Sequence, residues 1–230
     1  MSEVKLLDVN CDWKQERPFL KKNNDEFIVT GYQSYGISKS GIIALSSNTK
    51  TKLDLIKNSF YKDVSGRTVS DIGCANMFFG FLSLYHGASQ VTGIELDVDY
   101  LLQNAQIISE LNLQNISCNR MNAVDYKVKT DVVFAFAIIH WVYSCTGFLG
   151  SLENVVKHFR SITNHVLYIE WIDPSDDCIV DMLHHLDFNK NLTIQDYNKK
   201  NFIRYLVDNF RYVDFIGKTK STREIYRCSI

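Results

Sequence analysis

The sequence predicts an α/β fold: a mostly parallel sheet of seven strands, doubly wound by helices on both faces, with an antiparallel hairpin at its C-terminal end. Three observations predict it. From residue 50 onward, short β-branched or apolar runs alternate with segments of helical spacing. The run at residues 132–139 is apolar throughout, which is typical of a central strand covered on both faces. Only a few residues join the last two predicted strands, and so short a connection allows only an antiparallel pair.

The predicted elements follow one another in a regular order. Apolar residues at helical spacing predict helices at residues 50–60, 78–86, 99–111, 150–161 and 198–209. Short β-branched and apolar runs predict strands at residues 68–72, 90–96, 116–121, 131–137, 165–171, 210–216 and 223–228. The first part of the chain shows neither pattern. We therefore predict an N-terminal extension or lid at residues 1–48, irregular over its first forty residues, followed by one main domain at residues 49–230.

The composition narrows the class of function. With 25 basic and 26 acidic residues the net charge is -1, which disfavours a partner bound through the phosphates of nucleic acid. The six cysteines are too far apart for a zinc site, since the closest two, Cys118 and Cys145, are 27 positions apart. We therefore expect reduced thiols.

The longest apolar run is far shorter than the ~20 residues of a membrane span. We expect a cytoplasmic protein without a signal peptide, and the sequence indicates no oligomeric state.

The strongest motif follows the first strand of the main domain. Residues 69–80 have the sequence Val-Ser-Asp-Ile-Gly-Cys-Ala-Asn-Met-Phe-Phe-Gly. The strand ends at Asp71, the chain turns at Gly73, and the small Ala75 lets the backbone approach a ligand. A loop at a helix N-terminus offers free N–H groups and the positive end of the helix dipole. The motif therefore predicts a site for an anionic group.

Polar residues also follow the next two strands. Glu95 ends the second strand, 24 positions after Asp71, where a carboxylate can accept hydrogen bonds from both hydroxyls of a ribose. Asn122 follows the third strand, and its side chain can bond to an adenine ring for which Ala123 leaves room. Ligands of open α/β sheets bind at the carboxyl ends of the strands, so the three motifs together predict a nucleotide-like cofactor.

A nicotinamide or flavin cofactor is the alternative for this site. Its fingerprint is G-x-G-x-x-G. In this chain Gly73 is followed by Ala75 instead of a second glycine, the next glycine is the late Gly80, and the acidic Asp71 precedes the turn. These departures disfavour the dinucleotide alternative.

The three motifs resemble those of class I S-adenosylmethionine-dependent methyltransferases, a Rossmann-like family whose seven-stranded sheet ends in an antiparallel hairpin. The resemblance extends from about residue 50 to the end of the chain. It implies a methyltransferase that uses S-adenosylmethionine and releases S-adenosylhomocysteine. The family often has aspartate at the adenine position, where this chain has asparagine. The resemblance implies that the cofactor contacts Asp71, Gly73, Cys74, Ala75, Asn76, Phe79, Glu95, Leu96, Asn122, Ala123 and Ala137.

A narrower resemblance concerns the acceptor of the methyl group. Residues 135–143, 168–174 and 222–226 look like those of small methyltransferases found beside glycan-building enzymes in bacteria and large algal viruses. This resemblance implies O-methylation of a sugar hydroxyl, such as one of rhamnose, in a glycan or its precursor. The expected partner is therefore a small-molecule or glycan acceptor.

Methyl transfer to a hydroxyl needs a positioned acceptor and a base that removes the proton. His140 directly follows the fourth strand and is a candidate base; its structural alternative is packing at the strand end. Glu170 and Asp173 end the fifth strand and are candidates to orient the base or to bind a hydroxyl. Because Pro174 follows Asp173, capping of the next helix is the structural alternative for that carboxylate.

Aromatic and histidine side chains are predicted to contact the acceptor, because aromatic faces pack against sugar rings, although the same side chains would also fill a core. They are Tyr32, Tyr35, Trp141, Tyr143, Trp171, His184 and His185. The carboxylates of Asp173, Asp176 and Asp177 lie close enough in sequence to hold magnesium. Such a run is more typical of a solvated turn, and we predict no metal.

Two other functions remain open. The first is methylation of RNA: residues 32–36 resemble part of an enzyme that modifies the wobble uridine of tRNA. The balanced charge disfavours it, as does the lack of an Asp/Asn-Pro-Pro-aromatic loop after Ala137, which enzymes that methylate base amines use. The second is a non-catalytic module that keeps the cofactor fold. The intact set of Asp71, Gly73 and Glu95 disfavours that alternative.

Overall fold

The computed structural model of the chain describes five segments, residues 3–4, 18–23, 26–145, 149–179 and 195–230. It divides into two compact units, Met1–Met121 and Asn122–Ile230. The strands of the described segments form one sheet of five strands and one of seven. No helix in these segments is both long enough and apolar enough to cross a membrane.

The predicted α/β fold is confirmed. The larger sheet has the strand order β11-β12-β10-β9-β6-β7-β8. Its strands are β6 (Thr68–Ile72), β7 (Gln90–Glu95), β8 (Ile116–Arg120), β9 (Thr130–Ala135), β10 (Thr163–Ile172), β11 (Tyr212–Lys220) and β12 (Arg223–Ser229). Strands β6, β7 and β8 pair in parallel, as do β9 and β10. The last two strands pair antiparallel with each other, and β12 pairs antiparallel with β10, as the sequence predicts.

The helices begin where the sequence offers a capping side chain. They are α1 (Ser47–Val64), α2 (Phe78–Tyr85), α3 (Val98–Glu110), α4 (Ile139–Cys145), α5 (Leu152–Ser161) and α6 (Lys199–Asn209), with a short 3-10 helix at Ala123–Asp125. Ser46, Ser151 and Asn198 each accept a hydrogen bond from the backbone N–H three residues further on. Asp97 caps α3 through the N–H two residues further on, whereas Met77, the N-cap residue of α2, makes no such bond.

The prediction of irregular structure over the first forty residues is wrong for the part that the structure describes. An antiparallel sheet lies there, formed by β1 (Glu3–Val4), β2 (Phe19–Asn23), β3 (Glu26–Thr30), β4 (Tyr35–Ser38) and β5 (Gly41–Ala44). Alternate side chains of β3 and β4 are buried, namely Phe27, Val29, Tyr35 and Ile37. Alternation of buried and exposed side chains every two residues is typical of a half-buried strand. In strands of four or five residues separated by tight turns, this alternation repeats only about twice, so the sequence pattern is weak.

Several boundaries differ from the prediction; helix α1, for example, covers Ser47–Val64 instead of residues 50–60. The fourth strand, expected to run to residue 137, ends at Ala135, and Ala137 has a left-handed φ of 50°. Helix α4, which was not predicted, follows almost at once. Strand β11 continues to Lys220 through two irregularities in its pairing with β12, so the predicted connection at residues 217–222 is mostly strand.

Candidate functional site

The glycine motif of the first unit forms a tightly folded loop between β6 and α2. Gly73 has a φ of 66°, which glycine adopts without strain, but Ala75 and Met77 also have positive φ values, 45° and 59°. Left-handed backbone costs energy in residues with a Cβ, so such strain commonly marks a functional loop. Neighbouring strand β7 makes room for the loop: a Cβ on Gly93 would lie 2.8 Å from the Met77 side chain.

Glu95 binds the backbone of this loop from the end of β7. One carboxylate oxygen, Oε2, accepts a 2.8 Å hydrogen bond from the N–H of Ala75. The other, Oε1, accepts bonds from the N–H groups of Leu96 and Asp97 at 2.7 and 3.0 Å. Burial raises the pKa of Glu95 above its ordinary value, against the effect of these three donors. Carboxylate oxygens have several acceptor positions, so Glu95 can still accept bonds from a ligand.

Asp71 caps helix α2 from the end of β6. Its Oδ2 accepts a 3.1 Å bond from the N–H of Gly80, in the first turn of the helix. The N–H of Phe78 donates to Oε1 of Gln33 at 2.8 Å. With the N–H of Ala75 bound to Glu95, three N–H groups of the loop and helix start already have partners. The expectation that this loop offers freely available N–H groups to an anion is therefore wrong at these three positions.

Asp71 is expected to make the stability of the protein depend on pH. Burial raises its pKa from 3.8 to about 7, against the Gly80 bond and nearby Lys52. Between these values the folded chain holds a proton that the unfolded chain has lost, so the free energy of unfolding falls as pH rises from 3.8 towards 7. Asp71→Asn keeps an acceptor for Gly80 and removes this titration. The native chain loses stability over this pH range and the variant does not lose this contribution. We therefore expect the free energy of unfolding of Asp71→Asn, minus that of the native chain, to rise by ~2–4 kcal/mol between low and high pH.

Urea unfolding of the native chain and of Asp71→Asn, at pH values on either side of this range, measures the effect. Parallel stability curves for the two proteins would contradict it.

Lys52 is a site candidate that sequence reasoning missed. Its side chain is 3% exposed, lies over the Tyr32 ring with Nζ 5.9 Å from the centroid, and lowers the pKa of Asp71. Lysine is rarely so buried unless a charged partner faces it. The sequence does carry the signal, because Lys52 lies four and eight residues before Ile56 and Phe60, which form the buried face of α1.

The predicted lid residues and the rest of the loop pack closely together. Tyr35 is fully buried against Phe78 and Phe81 and donates from its hydroxyl to the backbone carbonyl of Asn76. Asn76 is fully buried too, and its side chain donates to Gln103 at 2.7 Å. Both therefore hold the loop in shape.

The other predicted cofactor contacts of the first unit have different surroundings. Cys74 and Phe79 are 1% exposed, so they form the interior behind the loop. Leu96 is 53% exposed after β7. Tyr32 is half-buried beside Lys52. Only Leu96 and Tyr32 of these four offer substantial surface to a ligand.

The second unit holds the remaining predicted cofactor contacts. Asn122 caps the short 3-10 helix, because its Oδ1 accepts a 3.2 Å bond from the N–H of Val124. The carbonyl of Ala123 bonds to Nε2 of His158 at 2.9 Å, which fixes this turn. Ala137 is half-buried in its left-handed conformation, after β9.

His140 lies at the start of α4 and is 2% exposed. Its Nε2 is 3.7 Å from Sγ of Cys178, while Nδ1 has no hydrogen-bond partner among the described residues. Burial, together with the nearby charge of Arg223, lowers the pKa of His140 to about 3, and Asp176 opposes this shift. The imidazole is therefore neutral at physiological pH, the form that accepts a proton.

Asp176 and Arg223 form a buried ion pair close to this histidine. Arg223 donates from Nε to Oδ2 at 2.8 Å and from Nη2 to Oδ1 at 2.9 Å, and Thr222 donates to Oδ2 at 2.6 Å. Burial opposes ionisation of Asp176, but these donors outweigh it and hold the pKa of the carboxyl below its usual range. Among the described residues, no three His, Cys, Asp or Glu side chains come together as a metal site.

The other two candidate catalytic carboxylates have local partners. Glu170 is fully buried on β10 and accepts a 2.8 Å bond from the hydroxyl of Thr219. Asp173 accepts bonds from the N–H and hydroxyl of Ser175 at 3.0 and 2.7 Å, which caps the turn after β10. These bonds belong to a turn, whereas the structural alternative named above was the cap of a helix.

The predicted aromatic contacts separate into two groups. Trp171 is 1% exposed and stacks between Tyr197 and Phe202, with ring centroids 4.5 and 4.9 Å away. Tyr143 is equally buried, 5.3 Å from the ring of Tyr197. Trp141 instead is half-buried, with its ring 5.2 Å from that of His140. The predicted contacts His184 and His185 lie outside the described residues.

Comparison with known sequences gives distant relatives. No protein-family profile matches the chain. A tRNA U34 carboxymethyltransferase of Campylobacter lari is 24% identical over 171 residues, which are 73% of this chain and 52% of that protein. One of Campylobacter jejuni is 27% identical over 163 residues, 68% of this chain and 50% of that protein. The chain thus spans about half the length of the curated relatives it matches.

Comparison with solved structures identifies the fold. Magnesium protoporphyrin IX methyltransferase from Synechocystis, solved with bound SAH, has a TM-score of 0.55 at 13% identity, covering 83% of this chain and 90% of that one. The bifunctional kinase-methyltransferase WbdD has a TM-score of 0.58 at 16% identity, covering 77% and 39%. The chain has the Rossmann-like methyltransferase fold. A putative methyltransferase, yhhF of Escherichia coli, is also similar, with a TM-score of 0.51 at 14% identity over 80% of this chain and 88% of that one.

Proposed function

We propose that the chain is an S-adenosylmethionine-dependent methyltransferase that acts on a hydroxyl group. The observation that carries the proposal is the arrangement of Glu95 and the strained glycine loop, in which the carboxylate at the end of β7 bonds the N–H of Ala75. In an open α/β sheet, this is the position of the acid that binds a ribose. Solved methyltransferases of the same fold, one with bound SAM, support the cofactor.

The residues present suit the parts of this cofactor. Glu95 would accept bonds from the ribose hydroxyls, while Leu96, Asn122 and Ala123 would contact the adenine. The methionine carboxylate needs a cation, because three N–H groups of the loop already have partners. Lys52, buried next to Asp71, would supply that positive charge. When bound, the cofactor supplies the electrophilic methyl group.

His140 is the proposed base. It is neutral, and its Nδ1 can accept a hydrogen bond from an acceptor hydroxyl. A base of low proton affinity suffices here, because the hydroxyl proton becomes strongly acidic as its oxygen bonds to the methyl group. The Asp176–Arg223 pair holds the segment that carries Cys178 next to the imidazole. Glu170 and Asp173 are proposed to support this segment through their local bonds.

For the acceptor we propose a sugar hydroxyl. Trp141 presents a half-buried aromatic face beside His140, as a sugar ring requires. Two basic side chains of the C-terminal hairpin are engaged with carboxylates: Lys218 is 3.3 Å from Glu224, and Arg223 is paired with Asp176. Such paired charges are poorly suited to the phosphates of a nucleic acid.

A tRNA is the second candidate acceptor, and the named activity of the Campylobacter relatives favours it. Incubation of the protein with methyl-labelled S-adenosylmethionine and either rhamnose-containing glycans or total tRNA separates the two. Label in the glycan supports the first proposal, and label in tRNA replaces it with the second. Cofactor binding without label in either would favour an acceptor of another class or, as the name of the Campylobacter relatives indicates, transfer of a carboxymethyl group instead of a methyl group.

Lys52→Met is expected to weaken S-adenosylmethionine binding by about ten- to a hundredfold, because a charge-assisted contact to the methionine carboxylate is lost while the buried stem is kept. Calorimetric titration measures the change. Lys57→Met is the matched control on α1, since Lys57 is exposed and pairs with Asp54; its affinity should be unchanged. Equal affinities for Lys52→Met and the native chain would contradict the role of Lys52.

A further inference from the structure

Two thiols of the first unit face each other across the glycine loop. Sγ of Cys74, in the loop, lies 3.7 Å from Sγ of Cys118 on β8. Gly93 is the strand partner of Cys118, and a Cβ at Gly93 would lie 3.0 Å from the Cys74 sulfur. The Cys74 sulfur thus lies where a side chain at residue 93 would crowd it. A disulfide has an S–S length of about 2.05 Å, so closure needs an approach of about 1.7 Å.

We propose that Cys74 and Cys118 are an oxidation site, closed to a disulfide by a hydroperoxide, and that closure distorts the glycine loop. The Cys118 thiol gives up its proton and the thiolate attacks one oxygen of hydrogen peroxide; the O–O bond breaks, and the departing hydroxide takes up that proton, so that a sulfenic acid and water form. The Cys74 sulfur then attacks the sulfenic sulfur; the S–S bond forms, the S–O bond breaks, and the hydroxide leaves with the thiol proton as water. In total the two thiols lose two electrons, and hydrogen peroxide is reduced to two molecules of water.

The different burial of the two thiols indicates which of them is oxidised first. Cys118 is half-buried on β8, the last strand in the order of the larger sheet, so a small oxidant can reach it. Cys74 is 1% exposed, and burial raises the pKa of its thiol, which protects it from direct attack. Cys118 is therefore oxidised first, and Cys74 resolves the sulfenic acid.

The contacts of Cys74 link the bond to the proposed cofactor site. The next residue, Ala75, donates its N–H to Glu95 and accepts a 2.8 Å bond from Asn104. Asn104 also contacts the Cys118 sulfur, at 3.6 Å. Movement of the two sulfurs towards each other would therefore shift Ala75 relative to Glu95. The effect on the cofactor rests on the proposed function, whereas formation of the bond does not.

Peptide mapping tests whether the bond forms. The reduced full chain is treated with hydrogen peroxide, its thiols are blocked, and unreduced digests are analysed by mass spectrometry. Trypsin leaves both cysteines in one peptide, residues 68–120, so a protease that cleaves after Glu95 and Glu110 is added. We expect residues 68–95 joined to residues 111–120, and separation of the two by dithiothreitol. Pairing with another cysteine, or overoxidation without a Cys74–Cys118 bond, would overturn the proposal.

Binding measurements test the consequence. S-adenosylmethionine affinity is measured for the reduced chain, the peroxide-treated chain and peroxide-treated Cys118→Ser. We expect affinity about tenfold weaker after oxidation of the native chain and no change for Cys118→Ser. If the bond forms and affinity is unchanged, the regulatory consequence is wrong. If the reduced chain itself does not bind, the proposed function fails, while the mapped bond still decides whether the oxidation site exists.

Discussion

Glu95→Ala is expected to weaken S-adenosylmethionine binding by about a hundredfold or more, the largest effect of any single change to the proposed cofactor site. Two losses combine. The ribose would lose a charged acceptor, and the N–H groups of Ala75, Leu96 and Asp97 would lose the carboxylate that organises them. Titration calorimetry gives the affinity, and thermal unfolding checks that the chain remains folded.

Two variants make this result specific. Glu95→Gln keeps one acceptor oxygen but turns an amide N–H₂ towards a backbone donor, so an intermediate loss is expected. Glu153→Ala removes an exposed carboxylate that pairs with Lys157 on α5, and it should bind like the native chain. If Glu95→Ala bound the cofactor with native affinity, Glu95 would be a structural residue only.

His140→Ala is expected to lower kcat by ~10²–10⁴ and to leave the affinity for S-adenosylmethionine unchanged, because the base acts on the acceptor alone. His140→Gln, which keeps a polar side chain of similar length but cannot take the proton, should lose activity similarly. His86→Ala changes an exposed histidine at the end of α2 and is the matched control. Native turnover in His140→Ala would show that another group is the base.

The pH profile is an independent check on His140. Burial lowers the pKa of this imidazole to about 3, so it remains neutral as pH rises above that value. The kcat profile should therefore show no acidic limb from His140 between about pH 5 and 8, the range in which an ordinary histidine titrates. An acidic limb near neutral pH that disappears in His140→Gln would show that this imidazole titrates there, and would contradict the lowered pKa of His140.

The sequence predicts the larger sheet well because its strands carry strong local signals. Strand β6 is predicted at its observed bounds, since a β-branched run ends at the Gly73 turn. The short strands β3 and β4 were missed, because an alternation over only four or five residues is a weak signal and glycines such as Gly31 and Gly36 are typical of turns. Helix α4 was missed because its first residue, Ile139, continues the apolar run of β9.

The candidate site is less visible in the sequence, because its contacts join distant positions. Order along the chain identifies Asp71 and Glu95, but it does not indicate that their oxygens occupy the N–H groups of Gly80 and Ala75. The pairing of Asp176 with Arg223, 47 residues later, likewise has no local signal. Sequence analysis therefore finds the chemical groups, and only the fold assigns their partners.

Calorimetric titration of the native chain with S-adenosylmethionine, and separately with NAD, tests the central claim most directly. We predict micromolar binding of S-adenosylmethionine and none of NAD. Absence of S-adenosylmethionine binding by the folded chain would contradict the proposed function and leave a non-catalytic module with a methyltransferase fold.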